Sequence, residues 1–476
     1  MIEFLLLFPV VAFPLLYFAR KRSLNRVMLV TYMLGQGACA LLMANGMIAR
    51  LSASSGIASF FSADSLSRLF FYLLSILFIG AGIAGMRFLA RHKDERWDTY
   101  YTGFTMLFVA SMNGVIFSAH LGLLWVFIEA TTLTSAVLIY FDRTRTSLEA
   151  TWKYIFVCSI GIAFAFVGII MLTIGAGGKD SLFFADLVSN AKTFSPFWLK
   201  MAYVFLLTGF GTKVGLAPVH AWKPDAYSEA PSPVAVLLSG ALANCALIGV
   251  IRATGIMTSA GAGHYAGTLL LVMGVMSLLI AAVFMLRVRN YKRMLAYSSI
   301  EHMGIAAVGL SVGGPAAFAA MLHLTGHSLV KGSLFLTASN IEKFTGTKET
   351  DSVRGLIRID RGTGWLWIAG LLAITAFPPF STFLSEFLLL KTLFSKGMIA
   401  LAVAILFFLT VILFGMVSPI FRMSFGSPYI SLKEATRSVW DYLPQIAFLA
   451  AALALGCFVP SQLRELLQGA AAVAGM

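Results

Sequence analysis

Phe205-Leu-Leu-Thr-Gly-Phe-Gly-Thr-Lys-Val-Gly-Leu-Ala-Pro218 places one lysine deep inside an apolar run, with Gly209, Gly211, Gly215 and Pro218 around it. A charge at the bilayer centre costs about 3 kcal/mol or more, so an intramembrane lysine is retained for function and needs a partner. Glycines and a proline at the same depth predict a broken helix. Freed backbone groups are tolerated there only where they are buried in protein or line a hydrated cavity, which is where an ion site forms. Lys213 is therefore read as the centre of an intramembrane path for protons or a similar cation. Snorkelling to an interface is the competing reading, but the lysine lies too far into its span for that.

The rest of the chain supports a membrane setting. Of 476 residues, 59% are hydrophobic and only 12% charged. The mean hydropathy is +0.86, outside the range of soluble domains. Apolar windows long enough to cross a hydrocarbon core recur throughout. Predicted spans are 2–19, 27–50, 63–90, 101–118, 120–141, 150–176, 198–221, 232–256, 264–286, 295–312, 316–340, 364–394, 398–422 and 443–463. The expected fold is all-α, one polytopic membrane domain over 1–476 with fourteen helices. The first span, with Glu3 before it and Arg20, Lys21 and Arg22 after it, is expected to be retained and not cleaved as a signal peptide.

The net charge of +14 raises the question of nucleic acid. The basic residues sit in short loops, where the positive-inside rule accounts for them, so no nucleic-acid partner is expected. They follow odd-numbered spans: Arg20 to Arg26; Arg87, Arg91, Lys93 and Arg96; Arg143 and Arg145; Arg287 to Arg293; Lys343 to Arg361; and Arg422, Lys433 and Arg437. Even-numbered spans are followed by little beyond Arg50, Lys179, Lys192 and Lys396. Both termini are thus expected on the non-cytoplasmic side of the inner (plasma) membrane. Cys39, Cys158, Cys245 and Cys457 fall inside apolar spans without C-x-x-C spacing and are expected to be packing residues. Cofactors are expected to be none, and any redox chemistry must belong to a partner.

Three further intramembrane clusters stand out. Glu129 lies mid-span near Thr131, Thr132 and Thr134; it is either a carboxyl held by those hydroxyls or the charge partner of a lysine on another helix. His323, His327 and Lys331 are spaced i, i+4, i+8 and form one stripe suited to proton exchange. Two histidines at that spacing can also bind a metal, but no carboxylate or cysteine in the span completes a ligand set, so no metal is expected. Glu386 follows the proline-interrupted run Phe377-Pro-Pro-Phe-Ser-Thr-Phe-Leu-Ser385, with Lys391 beyond it. The twelfth span therefore repeats the seventh in kind, an early break and then one ionisable residue. This pattern points to inverted repeats of five helices each, helices 4–8 (about 101–256) and 9–13 (about 264–422). Secondary candidates are His220, Lys223, Asp225 and Glu229 before helix 8, Lys153 at the start of helix 6, Asp64 and Arg68, and Glu301 and His302. Ser298-x-x-Glu301 also fits a capping box.

These residues carry a resemblance. Gly209–Pro233, including Pro224-Asp-Ala-Tyr-Ser-Glu-Ala-Pro-Ser-Pro233, resembles the broken seventh helix and following loop of the antiporter-like subunits of respiratory complex I. Trp125–Glu129, Tyr291-Lys-Arg-Met-Leu-Ala-Tyr-Ser-Ser-Ile-Glu-His-Met-Gly304, the His323 stripe and Ser385-Glu-Phe387 are similar to further segments of that family, in order. The form of the Glu301-His302 segment and the glutamate on the twelfth span look most like the F-type subunit of the hydrogenase-4 and formate hydrogenlyase group. The resemblance implies a fourteen-helix fold with two inverted repeats and a proton- or cation-pumping module without a redox centre. It also implies neighbours: further antiporter-like and connecting subunits of a membrane arm, and a peripheral hydrogenase or dehydrogenase arm. One residue departs from the family. Where members often carry lysine or histidine in the eighth helix, this chain has Asn244, which can hold a water but cannot take up a proton near neutral pH.

The expected function is a proton-translocating subunit of a redox-driven complex, with no redox or hydrolytic active site of its own. The expected route runs through Glu129, Lys213, a water-bridged gap at Asn244, His323, His327, Lys331 and Glu386, with His220, Asp225, Lys153, His302 and Lys391 in supporting places. A multi-subunit sodium/proton antiporter module and a non-pumping membrane-arm scaffold are the alternatives.

Overall fold

The computed structural model describes residues 1–46, 57–91, 94–178, 181–428 and 437–475. Arg50, Lys93, Lys179 and Lys433, used above to orient the chain, lie outside the described residues. In chain order the helices are α1 (Ile2–Ala19), α2 (Arg22–Ala44), α3 (Ser65–Leu89), α4 (Glu95–Phe117), α5 (Leu121–Ile139), α6 (Arg145–Gly175), α7 (Phe184–Asn190), α8 (Pro196–Val214), α9 (Lys223–Glu229), α10 (Ser232–Leu237), α11 (Ala243–Ser259), α12 (Gly263–Met285), α13 (Tyr291–Val312), α14 (Pro315–Thr345), α15 (Leu356–Ile359), α16 (Arg361–Ile374), α17 (Ser381–Ser395), α18 (Ile399–Ser424), α19 (Leu443–Cys457) and α20 (Ser461–Ala472). Between them the described residues form only isolated β-bridges and no sheet.

Nine helical segments among the described residues are long and apolar enough to cross a membrane, the α10–α11 segment Ser232–Ser259 counting as one. The predicted spans missing from that set have physical reasons to be missing. α16 and α17 are 14 and 15 residues long because the chain breaks between them. α8, α13 and α14 carry the lysines, histidines and glutamates discussed below, which lowers their hydropathy, and they lie inside the bundle. Burial divides the helices into two shells. The apolar window of Ser232–Ser259 is entirely buried, whereas α1 and α18 turn most of theirs outward, presenting side chains such as Phe18, Phe407 and Phe414 to lipid. Polar residues concentrate in the inner shell, where protein groups can satisfy them.

Small residues allow the inner helices to approach closely. A Cβ on Gly209 of α8 would lie 2.5 Å from the Ala165 nitrogen and 2.6 Å from the Gly161 carbonyl oxygen of α6, and one on Gly304 of α13 would lie 2.8 Å from the Gly274 carbonyl oxygen of α12. These backbone-to-backbone contacts substitute for the hydrophobic drive that lipid removes.

Several boundaries differ from the sequence reading. α13 begins at Tyr291, with Asn290 accepting from the Lys292 and Arg293 amides. Ser298 and Glu301 therefore lie mid-helix, and the capping-box reading is wrong. Asp64 caps α3 by accepting from the Ser67 amide and also pairs with Arg252 at 2.9 Å. The last span is not one straight helix over 443–463, because α19 and α20 meet at 87°. Pro460, which has no N–H to extend α19, precedes an α20 whose Leu467, Ala470 and Ala471 pack inward. Cys158 and Cys245 are buried as expected, but Cys457 is exposed.

At the basic end of the bundle, Asp441 gathers Arg87 at 3.3 Å, Arg91 at 3.4 Å and Lys343 at 3.0 Å, joining α3, α14 and the segment before α19. Burial opposes ionisation of this carboxyl, but its bonds to Lys343 and Arg87 outweigh it and hold the acid below the usual carboxylate range. A depressed folded pKa adds stability above the unfolded value that is lost as pH falls through the folded value. Asp441→Asn should therefore lower stability by about 1–2 kcal/mol at pH 7, a figure discounted for the partly exposed arginines. In melting curves of wild type and variant against pH, the gap should close below about pH 4.

Candidate functional site: a buried line of ionisable groups

Lys213 is the penultimate residue of α8. The helix stops at Gly215, whose φ of 80° is a left-handed conformation that costs glycine little, and the Leu216 amide returns to the Gly211 carbonyl at 3.0 Å. Lys223 Nζ donates to the freed Val214 carbonyl at 2.8 Å, and Trp222 Nε1 to that of Thr212 at 2.8 Å. Lys223, a secondary candidate from sequence, thus caps the broken end, where its cation also suits the helix dipole. The break follows Lys213. The sequence reading had placed a break before the ionisable residue in both interrupted spans; that holds for Glu386 in α17 and not for Lys213.

The Lys213 ammonium, 1% exposed, meets two hydroxyls. It donates to Thr132 Oγ1 at 2.8 Å and to the Tyr154 hydroxyl at 2.6 Å, and sits 4.6 Å from the Tyr154 ring centroid. Glu129 does not touch it. Thr132 donates onward to Glu129 Oε2 at 3.3 Å, and Ser159 donates to Oε1 at 2.9 Å. The expected Glu129–Lys213 pair is therefore a hydroxyl-bridged arrangement. Both readings of Glu129 are partly realised, a carboxylate held by hydroxyls and a charge one hydroxyl away from the lysine. Tyr154, which also shares a 2.6 Å bond with Ser135 and packs on Trp222, was not singled out from sequence. Its one signal was being the lone tyrosine of the span 150–176.

Asn244 is the second residue of α11, just after a π-helical turn at Leu238–Leu242. Such turns widen a helix locally and recur at functional sites. The Asn244 amide donates to the Gly240 carbonyl and to Ser328 Oγ, both at 2.8 Å. Ser328 is the chain neighbour of His327, so Asn244 ties α11 to α14 beside the histidines. Its Oδ1 has no protein partner among the described residues.

On α14, His323, His327 and Lys331 are 1%, 0% and 0% exposed. The Lys331 ammonium donates to the Leu295 carbonyl of α13 at 2.7 Å, and Glu301 lies within Coulombic reach of it. His302 of α13 shares a 2.8 Å Nδ1···Nε2 hydrogen bond with His323, and the His302 and His327 rings are 5.0 Å apart. His323 Nδ1 meets Ser385 Oγ at 2.9 Å, beside Glu386. His302, secondary in the sequence reading, is thus central, and so is Glu301, for which sequence had offered a capping role.

The remaining secondary candidates fall elsewhere. Asp225 binds Lys153 at 3.1 Å and also Arg293; Lys153, half exposed, pairs with Glu149 at 2.7 Å. These form a surface network that ties α9 to α6 and α13. Lys391 is exposed on α17 and touches none of the buried line. His220 lies half-buried in the break after α8.

The fold is that of a polytopic helical membrane protein whose interior holds clusters of ionisable groups. The family described as NADH:quinone oxidoreductase/Mrp antiporter, transmembrane, matches residues 118–413. The chain belongs to that family and is an antiporter-like membrane subunit. It is 33% identical over 421 residues to a hydrogenase-4 component F homologue of Methylacidiphilum infernorum, covering 86% of this chain and 88% of that one. Its fold matches a chain of an archaeal membrane-bound sulfane sulfur reductase with a TM-score of 0.87, at 21% identity and covering 99% and 97% of the two chains. It also matches a chain of the Mrp complex of Dietzia sp. with a TM-score of 0.85, at 20% identity over 99% and 97%.

Removing the Tyr154 hydroxyl leaves a buried ammonium short of an acceptor, at a cost of about 1.5–3 kcal/mol for a bond to a charged group. In SDS-titrated unfolding, Tyr154→Phe and Lys213→Leu should each destabilise. The double variant should fall short of their sum by at least about 1 kcal/mol, whereas strict additivity would deny the contact.

Proposed function

We propose that this chain is the proton-translocating subunit of a multi-subunit, redox-driven complex of the group 4 membrane-bound hydrogenase or complex I kind, sitting in the inner membrane beside other antiporter-like and connecting subunits. A peripheral hydrogenase or dehydrogenase arm would supply the free energy. The observation that carries the reading is a set of buried polar and ionisable groups, Thr132 and Lys213 on one side of Asn244 and Lys331, His327, His302, His323 and Glu386 on the other. Each of these is 9% exposed or less, inside a protein that spans a membrane. So many ionisable groups at that depth are retained against a desolvation cost, which points to a path for charge.

The cycle turns on Lys213. With its ammonium on Thr132 and Tyr154, a small movement toward Glu129 would exchange hydroxyl partners for a carboxylate. One pKa unit corresponds to about 1.4 kcal/mol, so gain or loss of a desolvated ion partner is enough to load and unload the lysine. The proton would pass by water at Asn244 to the α14 stripe and leave near Glu386. A donor set dominated by amines and imidazoles favours protons over sodium, which would need oxygen ligands. The same reading holds fourteen crossing segments, each broken pair counted once, two inverted five-helix repeats about 101–256 and about 264–422, and non-cytoplasmic termini. Two breaks five predicted spans apart, and an acid on each of α5 and α13 (Glu129 and Glu301), support the repeats.

Lys213→Ala in the reconstituted complex should reduce proton flux to the leak of protein-free vesicles while the complex still assembles and its redox half-reaction persists. Unchanged flux in that variant would sink the proposal, and a dependence of flux on sodium would redirect it to an antiporter module.

A further inference from the structure

On sequence, a metal at His323 and His327 was set aside because their span holds no carboxylate or cysteine. Packing supplies what the span lacks. His302 arrives from α13 and Glu386 from α17, and one ligand atom from each of His302, His323 and Glu386 lies within 4.8 Å of the others. The three residues are 0%, 1% and 9% exposed. We propose that His302, His323 and Glu386 form a binding site for a Zn²⁺-class transition-metal ion, and that the bound ion closes the inner proton line.

Two imidazole nitrogens and one carboxylate oxygen, with the fourth position left to water, are a zinc donor set; hard divalent cations would require oxygen ligands throughout. Zinc–nitrogen distances of about 2.0–2.1 Å place donors of a tetrahedral site about 3.3–3.5 Å apart. His302 Nδ1 and His323 Nε2 are 2.8 Å apart, so the two rings need to separate by only about half an ångström. Ser385 Oγ at 2.9 Å from His323 Nδ1 holds that ring with Nε2 toward His302, the outer-shell support that metal-binding histidines use.

The protons balance. In the metal-free state one hydrogen lies between His302 Nδ1 and His323 Nε2, and both lone pairs are needed for the metal. With His302 as the donor, its hydrogen moves to Nε2 of the same ring. Glu386 coordinates as a carboxylate and releases to solvent any proton it carried. The ion then occupies the nitrogens that would otherwise pass a proton between His302 and His323. This blocking effect rests on the proton-route reading; the metal binding does not.

The test uses the purified intact complex in detergent, loaded with Zn²⁺ or Co²⁺ and desalted. Bound metal is counted by mass spectrometry, and Co²⁺ is observed by its visible absorption. Wild type should retain one more equivalent per copy of this chain than His302→Ala or Glu386→Gln, and should show four-coordinate cobalt bands that both variants lack. The second variant guards against misfolding of the first, and assembly is checked for each. Equal metal content and equal cobalt spectra in wild type and both variants would overturn the site. A clear difference in bound metal, with wild-type proton flux indifferent to Zn²⁺, would overturn only the blocking role. The proton route itself is judged separately by Lys213→Ala.

Discussion

An ammonium group at membrane depth must find acceptors within the protein, and Lys213 finds two hydroxyls. Thr132 and Tyr154 satisfy the charge without neutralising it. A direct carboxylate would lock lysine and acid together in a low-dielectric interior, where breaking such a pair costs several kcal/mol. One hydroxyl between Glu129 and Lys213 keeps the two charges coupled yet separable. Much of the local architecture serves this arrangement: the helix stops at Gly215, Lys223 and Trp222 satisfy the carbonyls left open by the stop, and Trp222 supports Tyr154 from behind.

The same rule organises the bundle. Outer helices such as α1 and α18 are apolar and turn much of their surface to lipid, while the polar residues are drawn onto α8, α10–α11, α13 and α14, where other helices surround them. Small residues at the contacts bring these inner helices close enough for side chains to share partners. The π turn before α11 aims Asn244 at Ser328, and the crossing of α13 over α14 brings His302 against both His323 and His327. Two clusters of buried ionisable and polar groups, one around Lys213 and one around His302 and His323, emerge from packing the interior segments on one another, and they are what the proposed proton transfer rests on.

The two clusters differ in chemistry. Around Lys213 the partners are hydroxyls, which orient a charge and can relay a hydrogen. Around His323 they are imidazoles and a carboxylate, which exchange protons and also have the donor character of a metal site. The networks of Asp225 and Asp441 bind helix ends together on the basic side of the bundle, so the inner clusters and this fastening use separate sets of charges.

The sequence by itself determined the class of structure, most of the ionisable residues in the interior and the presence of a break in the seventh and twelfth spans, whereas the place of the first break, at Gly215 after Lys213, came from the structure. The features legible in sequence follow from hydropathy, helix-breaking residues and the cost of burying a charge, all of which act along the chain. The sequence also determined the α14 stripe, because i, i+4, i+8 spacing is a property of one helix. Only the tertiary structure decided which groups touch. Tyr154 and Thr132 as the partners of Lys213, Asn244 on Ser328, the move of Glu301 and His302 from the edge of a span to the interior, and the meeting of His302, His323 and Glu386 all depend on crossings between helices far apart in sequence. No local pattern encodes those crossings, because the small residues that set them, such as Gly209 and Gly304, specify close approach without naming the partner.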